Sequence, residues 1–206
     1  MSPRPAIDHI RKPQILEAAA AVITERGLSA TRIADVAERA GTSPAAVIYW
    51  FGGREELLTE ALIADEQRFA VELDERIAGD ESASSRLLTI LNASVEQADW
   101  SLWIELWSRS LHDPSAREAR QRLDDLWRGK LAAVVAEGQA AGEFDSELDV
   151  AEVAATLAAL VDGLGVQVTL GDELVTPERM LATSVAFAEA QLRVDLTPPA
   201  GVETAA

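Results

Sequence analysis

The segment from Thr31 to Leu58, TRIADVAERAGTSPAAVIYWFGGREELL, holds the side chains best suited by type and spacing to grip a polyanion. Tyr49 and Trp50 place a phenol and an indole N–H side by side, and Gly52-Gly53 is followed at once by Arg54. Phenol and indole N–H can donate to phosphate, and an arginine can grip one through two parallel bonds. Thr42 and Ser43 add hydroxyls and backbone N–H groups for the same purpose. Pro44, Ala45 and Ala46 are small and apolar, which would let a backbone approach base edges and set alanine methyls against thymine methyls. Thr31 and Arg32, at the start of the preceding helical stretch, complete the candidate DNA-contacting set. Arg4, Arg11 and Lys12, upstream, would add non-specific or minor-groove contacts.

These residues need elements to hold them. Ile33, Val36, Ala37 and Ala40 form an apolar stripe that predicts an inward-packed helix over 32–40. Gly41 supplies the left-handed residue of a tight turn, Ser43 is a good N-cap, and Pro44 suits a first helical position, so a second helix is predicted over 44–50. Two short helices across such a turn make a helix-turn-helix, whose second helix enters the major groove. The competing reading is a three-helix cap that never meets DNA. An exposed Tyr-Trp pair has little reason to exist on an inert cap.

A second cluster is aromatic. Trp100, Trp103 and Trp107 share one helix face, and Trp127 falls in the next long helix. Such a stripe is commonly core, yet aromatics also line small-molecule pockets carrying a few placed polar groups. Trp103, Trp107 and Trp127 with Asp99 and Asp162 are the candidate effector pocket, with Glu105, Ser108 and Asp124 as further polar groups. Tryptophan faces beside acids suit a cationic effector, although a neutral aromatic or acyl ligand would also suit the tryptophans.

Composition bounds the rest. At 48% apolar and 26% charged residues the chain is globular rather than disordered. The absence of cysteine excludes disulfides and thiolate metal sites and fits a cytoplasmic protein. No signal-like segment and no uninterrupted run of about 18 apolar residues is seen, so nothing is expected to span a membrane. The net charge of −17 is unevenly spread: residues 1–54 carry seven Lys/Arg against five Asp/Glu, and the rest carries eleven against thirty. Either only the head approaches a polyanion, or the head is simply less charged. His9 and His112 are far apart, and no metal-ligand spacing, phosphate loop or nucleophile motif stands out, so neither an enzyme, a cofactor nor a metal site is expected.

Periodicity predicts an all-α chain of about nine helices, over 14–26, 32–40, 44–50, 54–78, 84–98, 100–111, 115–141, 149–170 and 177–194. The implied organisation is a helix-turn-helix head at 1–53, with a flexible arm at 1–12. A helical ligand-binding and dimerisation body at 54–195 and a disordered tail at 196–206 follow.

Residues 13–58 resemble the DNA-binding domain of the TetR family of transcriptional regulators. The resemblance runs through Glu25-Arg26-Gly27, Val36-Ala37, Gly41-Thr42-Ser43, Tyr49-Trp50-Phe51 and Arg54-Glu55-Glu56-Leu57-Leu58. Residues 100–170 resemble the C-terminal domain of the choline-responsive BetI-like branch. The shared features are the tryptophan-rich helix, Arg109 to Asp113-Pro114, Gly138 to Phe144, and Asp162-Gly163-Leu164. The resemblance implies a repressor that binds a near-palindromic operator as a homodimer and is released by a small molecule. It also implies a dimer interface on the last two helices, through Leu157, Leu160, Leu164, Leu181, Val185 and Leu192; otherwise these helices merely close the monomer core. Ile48, Ala34, Pro44 and Ala46 replace residues that the family commonly uses to touch DNA, which implies readout largely through shape and backbone contacts. Two other readings remain: a helical ligand carrier whose head has lost DNA, and a DNA-binding protein with no effector.

Overall fold

The computed structural model describes residues 5–27, 30–79, 82–96 and 100–196. Among these residues it has nine helices and no strand: α1 (Pro5–Arg26), α2 (Ile33–Arg39), α3 (Pro44–Phe51), α4 (Arg54–Ile77), α5 (Ala83–Glu96), α6 (Ser101–Ser110), α7 (Pro114–Ala141), α8 (Val150–Thr169) and α9 (Pro177–Leu192). The all-α expectation holds. The largest boundary difference is at α1, which begins at Pro5 and runs through Pro13, where a loose arm over 1–12 was expected.

The chain forms two compact units. One comprises Met1–Ala70 with Ser101–Arg120, the other Val71–Trp100 with Gln121–Ala206, so the three boundaries fall inside helices or beside them. The unit containing the head is thus larger than residues 1–53 and takes in α6.

In the first unit, α1 buries Ile15, Ala18, Ala19, Val22 and Ile23, a three-and-four-residue stripe facing one way. Val36 and Ala37 of α2, Val47 and Phe51 of α3, and Leu57, Leu58 and Ala61 of α4 join it in one core, and Leu102 of α6 packs on its edge. In the second unit, α9 packs on α8 and α5. It turns Met180, Ser184, Ala188 and Leu192 inward at successive i+4 steps. Leu196, the first residue of the expected tail, is also buried, and its N–H donates to Glu189 Oε1 at 3.0 Å.

One polar staple orders this unit. Glu143, just beyond α7, accepts from the Ala83 and Ser84 N–H groups at 2.9 and 3.0 Å and from the Ser84 hydroxyl at 2.9 Å, capping α5 from a distance in sequence. Burial alone would raise the Glu143 carboxyl. The Ser84 and Ala83 bonds and the nearby Arg86 charge outweigh it and hold the group below its ordinary value of 4.5. A depressed carboxylate stabilises the fold above its unfolded pKa, and that contribution is lost as the pH falls through the folded value. Glu143→Gln should therefore cost about 1 kcal/mol at neutral pH, as loss of a helix cap does. Its melting temperature should converge on wild type as the pH drops below 4.5. Thermal melts across pH check this, and a gap that stays constant down to acid pH would contradict it.

Candidate functional site

The turn between α2 and α3 is closed by its own backbone. Gly41 has φ +62°, its N–H donates to Glu38 O at 3.1 Å, and the Thr42 N–H donates to Ala37 O at 2.9 Å. This pair of bonds is the Schellman arrangement, and the positive φ is why glycine stands there. Ser43 then caps α3, its Oγ accepting from Ala46 N at 3.2 Å, with Pro44 in the first turn. Within α3, Val47 and Phe51 point into the core, which turns Ile48 and Tyr49 outward. Tyr49 is 82% exposed, with its ring edge-on to Trp50 at 5.6 Å between centroids. Trp50 itself is half-buried against the head core. Ser43, Pro44 and Ala45 are exposed, and Thr42 and Ala46 half-buried, on the same element.

Two expected DNA contacts are redirected. Thr31 is only 1% exposed, and its hydroxyl donates to Gly27 O at 2.8 Å, so its side chain has no surface to offer a phosphate. Arg54 turns inward: Nε donates to the Thr31 carbonyl at 3.0 Å, and Nη1 lies 3.5 Å from Glu55 Oε1. It tethers the start of α4 to the segment before α2. Lys12 pairs with Glu60 at 2.5 Å and lies 5.4 Å above the Phe51 ring, which occupies a cation otherwise expected on a free arm. Arg26 and Arg39 pair with Asp35 and Glu25. Arg32 stands outside these pairs, exposed at the N-cap of α2 with no side-chain capping bond. Arg4 lies outside the described residues.

The aromatic cluster divides between the units. In the first, Trp103 is 7% exposed and stacks obliquely on half-buried Trp107, with centroids 5.7 Å apart. The Trp103 indole N–H donates to Glu66 Oε1 at 2.8 Å. Glu66 is 1% exposed, and the sequence reading missed it. A signal was present: Glu66 sits four residues from Leu62 and from Ala70, on the buried stripe of α4. The bond shows Trp103 to be core and polar contact at once. In the second unit Trp127 and Asp162 are half-buried, and the Asp124 carboxylate pairs with Arg128 at 3.2 Å. Asp99 lies outside the described residues.

Trp100 has a different duty. It lies over α8 at Gly165, where an added Cβ would overlap the indole ring, and its backbone N–H donates to Thr169 Oγ1 at 3.1 Å. It fastens the segment before α6 to α8 within the second unit.

The end of α6 is fastened to the head. Arg109 Nη1 donates to the Glu55 carbonyl at 2.7 Å and to Thr59 Oγ1 at 2.5 Å, and Nη2 to Asp113 Oδ2 at 2.8 Å. Asp113 in turn accepts from the Ser115 hydroxyl and N–H, which hold its carboxyl below the usual range. The helix bearing Trp103 and Trp107 is thus bonded to the first turn of α4, directly after the recognition helix.

The six expected interface residues separate. Leu157 and Leu192 are 0% exposed within a single chain, so they belong to its core and leave no surface for a mate. Leu160, Leu164, Leu181 and Val185 are half-buried. Beside Leu160 on α8 lies an exposed face of Thr156, Ala159, Gly163 and Gln167, and α9 exposes Ala182, Ala186 and Ala190. By length and composition α8 is apolar enough to cross a membrane, with 28% of that stretch buried within the chain. No such segment was expected, because Glu152, Asp162 and Gln167 interrupt its apolar residues.

A glycine-turned pair of short helices with an outward tyrosine, with helices as the sole regular structure among the described residues, defines a helix-turn-helix DNA-binding regulator. The family model of the tetR family of bacterial regulatory proteins matches residues 15–61, and that of the BetI-type transcriptional repressor C-terminal domain matches residues 82–193. The HTH-type transcriptional regulator BetI of Burkholderia cenocepacia is 31% identical over 172 residues, 79% of this chain and 84% of that protein. A transcriptional regulator from Saccharomonospora viridis, solved in complex with choline, is 30% identical with a TM-score of 0.74, over 86% of this chain and 95% of its own. A TetR-family regulator from Rhodococcus sp. is 30% identical with a TM-score of 0.73, over 88% and 98%. The chain belongs to the tetR family, with a C-terminal part of the BetI repressor type. It is a ligand-responsive, DNA-binding transcriptional repressor.

Proposed function

We propose that the protein binds a near-palindromic operator as a homodimer and releases it when a small cation enters the body. The observation that carries the operator reading is Tyr49, 82% exposed at the end of a capped recognition helix whose other aromatics are buried or half-buried. Tyr49 donates to phosphate, Arg32 adds a charge, and Thr42, Ser43 and the N–H groups around them complete the backbone grip. Pro44, Ala45 and Ala46 lie against base edges. With so few polar side chains on α3, DNA shape carries much of the selectivity. Arg54 acts through Thr31, as a positioning residue.

Removing only the phenolic hydroxyl, in Tyr49→Phe, should weaken binding about tenfold, the worth of one hydrogen bond to a charged group. Fluorescence anisotropy against an operator selected from a random duplex library reads this. Unchanged affinity at physiological salt would remove Tyr49 from the interface.

The mate is another copy of this chain, seated on the exposed apolar faces of α8 and α9. The cationic effector is favoured by Trp103 and Trp107 beside a carboxylate, by the acidity of the body, and by choline in the 30%-identical Saccharomonospora viridis regulator. Trp127 and Asp162 are the candidates from the second unit. Choline titrated into the protein–operator complex should raise the free fraction. Release by acyl or aromatic compounds alone would favour a neutral effector.

A further inference from the structure

We infer that Ile48 reads the operator sequence directly, by packing against the C5 methyl group of a thymine in the major groove. The inference rests on the operator reading above and names the base feature that α3 selects.

Val47 and Phe51 fix the side of α3 that faces the core. Ile48 lies four residues after Pro44 and three after Ala45, so the three share one side of the helix. Pro44 and Ala45 are exposed, and Ile48 is 48% exposed. They form a continuous apolar patch beside Tyr49, on the element that a helix-turn-helix lays in the major groove. The Tyr49 hydroxyl and the Trp50 indole N–H are the only side-chain hydrogen-bonding groups that α3 carries. Trp50 packs against the head core. The nearby arginines that could reach a guanine edge are engaged elsewhere: Arg39 with Glu25, Arg26 with Asp35, and Arg54 with the Thr31 carbonyl. Reading an adenine, guanine or cytosine edge needs a polar side chain, and the patch offers none. The thymine methyl is the one apolar group that the bases present in the major groove, and it discriminates thymine by contact alone. A branched, half-exposed isoleucine has apolar surface left to cover, which a methyl group covers and water does not. Ile48 therefore does more than omit a polar contact: it supplies a contact that only one base can complete.

The test replaces thymine by deoxyuridine, one position at a time and in both half-sites, in an operator selected from a random duplex library. Deoxyuridine keeps every pairing and groove hydrogen-bonding group and lacks only the methyl. Anisotropy with the full-length protein gives each affinity. At one or more thymine positions the loss should be about fourfold for each methyl, the worth of one buried carbon, and about 15-fold when both half-sites are changed. In Ile48→Ala, the loss at those positions should shrink to less than about twofold for the doubly changed duplex. Ile48 is on the surface, so this variant should melt like wild type. Should it not melt cooperatively, Ile48→Val is used, and the doubly changed duplex should then lose about fivefold or less. A folded variant that keeps the full wild-type loss overturns the role of Ile48. The methyl would then act through another side chain or through DNA shape. A selected operator without thymine in its half-sites, or one bound equally well with deoxyuridine throughout, overturns methyl reading and leaves the operator reading standing. Failure to select any duplex overturns both.

Discussion

Leu160→Arg is expected to give a folded monomer that no longer holds its operator. Leu160 is half-buried at the edge of the exposed α8 face, so an arginine there can extend into water from a single chain. Between two copies the same charge would be buried without a partner, at a cost of several kcal/mol. Two heads on one duplex bind with an avidity that one head lacks, so losing the dimer should weaken operator binding about 10²- to 10⁴-fold. The matched control is Leu192→Arg, at a residue with no exposure within one chain. That variant should lose its cooperative melt instead. Sedimentation and circular dichroism separate the two outcomes. A Leu160→Arg protein that stays dimeric at micromolar concentration would place the interface elsewhere.

The second large effect is on stability. Gly165→Ala puts a methyl group into the ring of Trp100. Either the indole leaves its seat, also straining the bond from the Trp100 backbone N–H to Thr169, or α8 shifts. Overpacking of this kind costs about 1–3 kcal/mol, which for a chain of this size lowers the melting temperature by roughly 2–10 °C. Gly129→Ala is the control, since nothing lies within 4 Å of the added carbon on α7. Alanine is the better helix former, so that variant should gain up to about 1 kcal/mol. Opposite signs from the same substitution in two helices would tie the effect to the Trp100 contact. A Gly165→Ala protein as stable as wild type would show that the indole has room to move.

The helix-turn-helix was legible in the sequence because its determinants are local. The positive φ of Gly41, the cap at Ser43 and the proline at the head of α3 act within four residues, and the same short range sets the in-and-out alternation of Val47, Tyr49 and Phe51. The nine helices among the described residues followed from periodicity for the same reason. Which polar groups remain available to a ligand was decided by contacts between distant segments. Arg54 Nε is bonded to the Thr31 carbonyl, 23 residues away, and Lys12 is held by Glu60. Leu157 and Leu160 share a helix and a residue type, yet one is sealed in the core and the other lies at its edge. Glu66 reads in sequence as an acid on the inward stripe of α4, between Leu62 and Ala70. Its burial under Trp103 arises only where α6 meets α4, because the stripe of a helix tells which side turns inward and says nothing of what waits there.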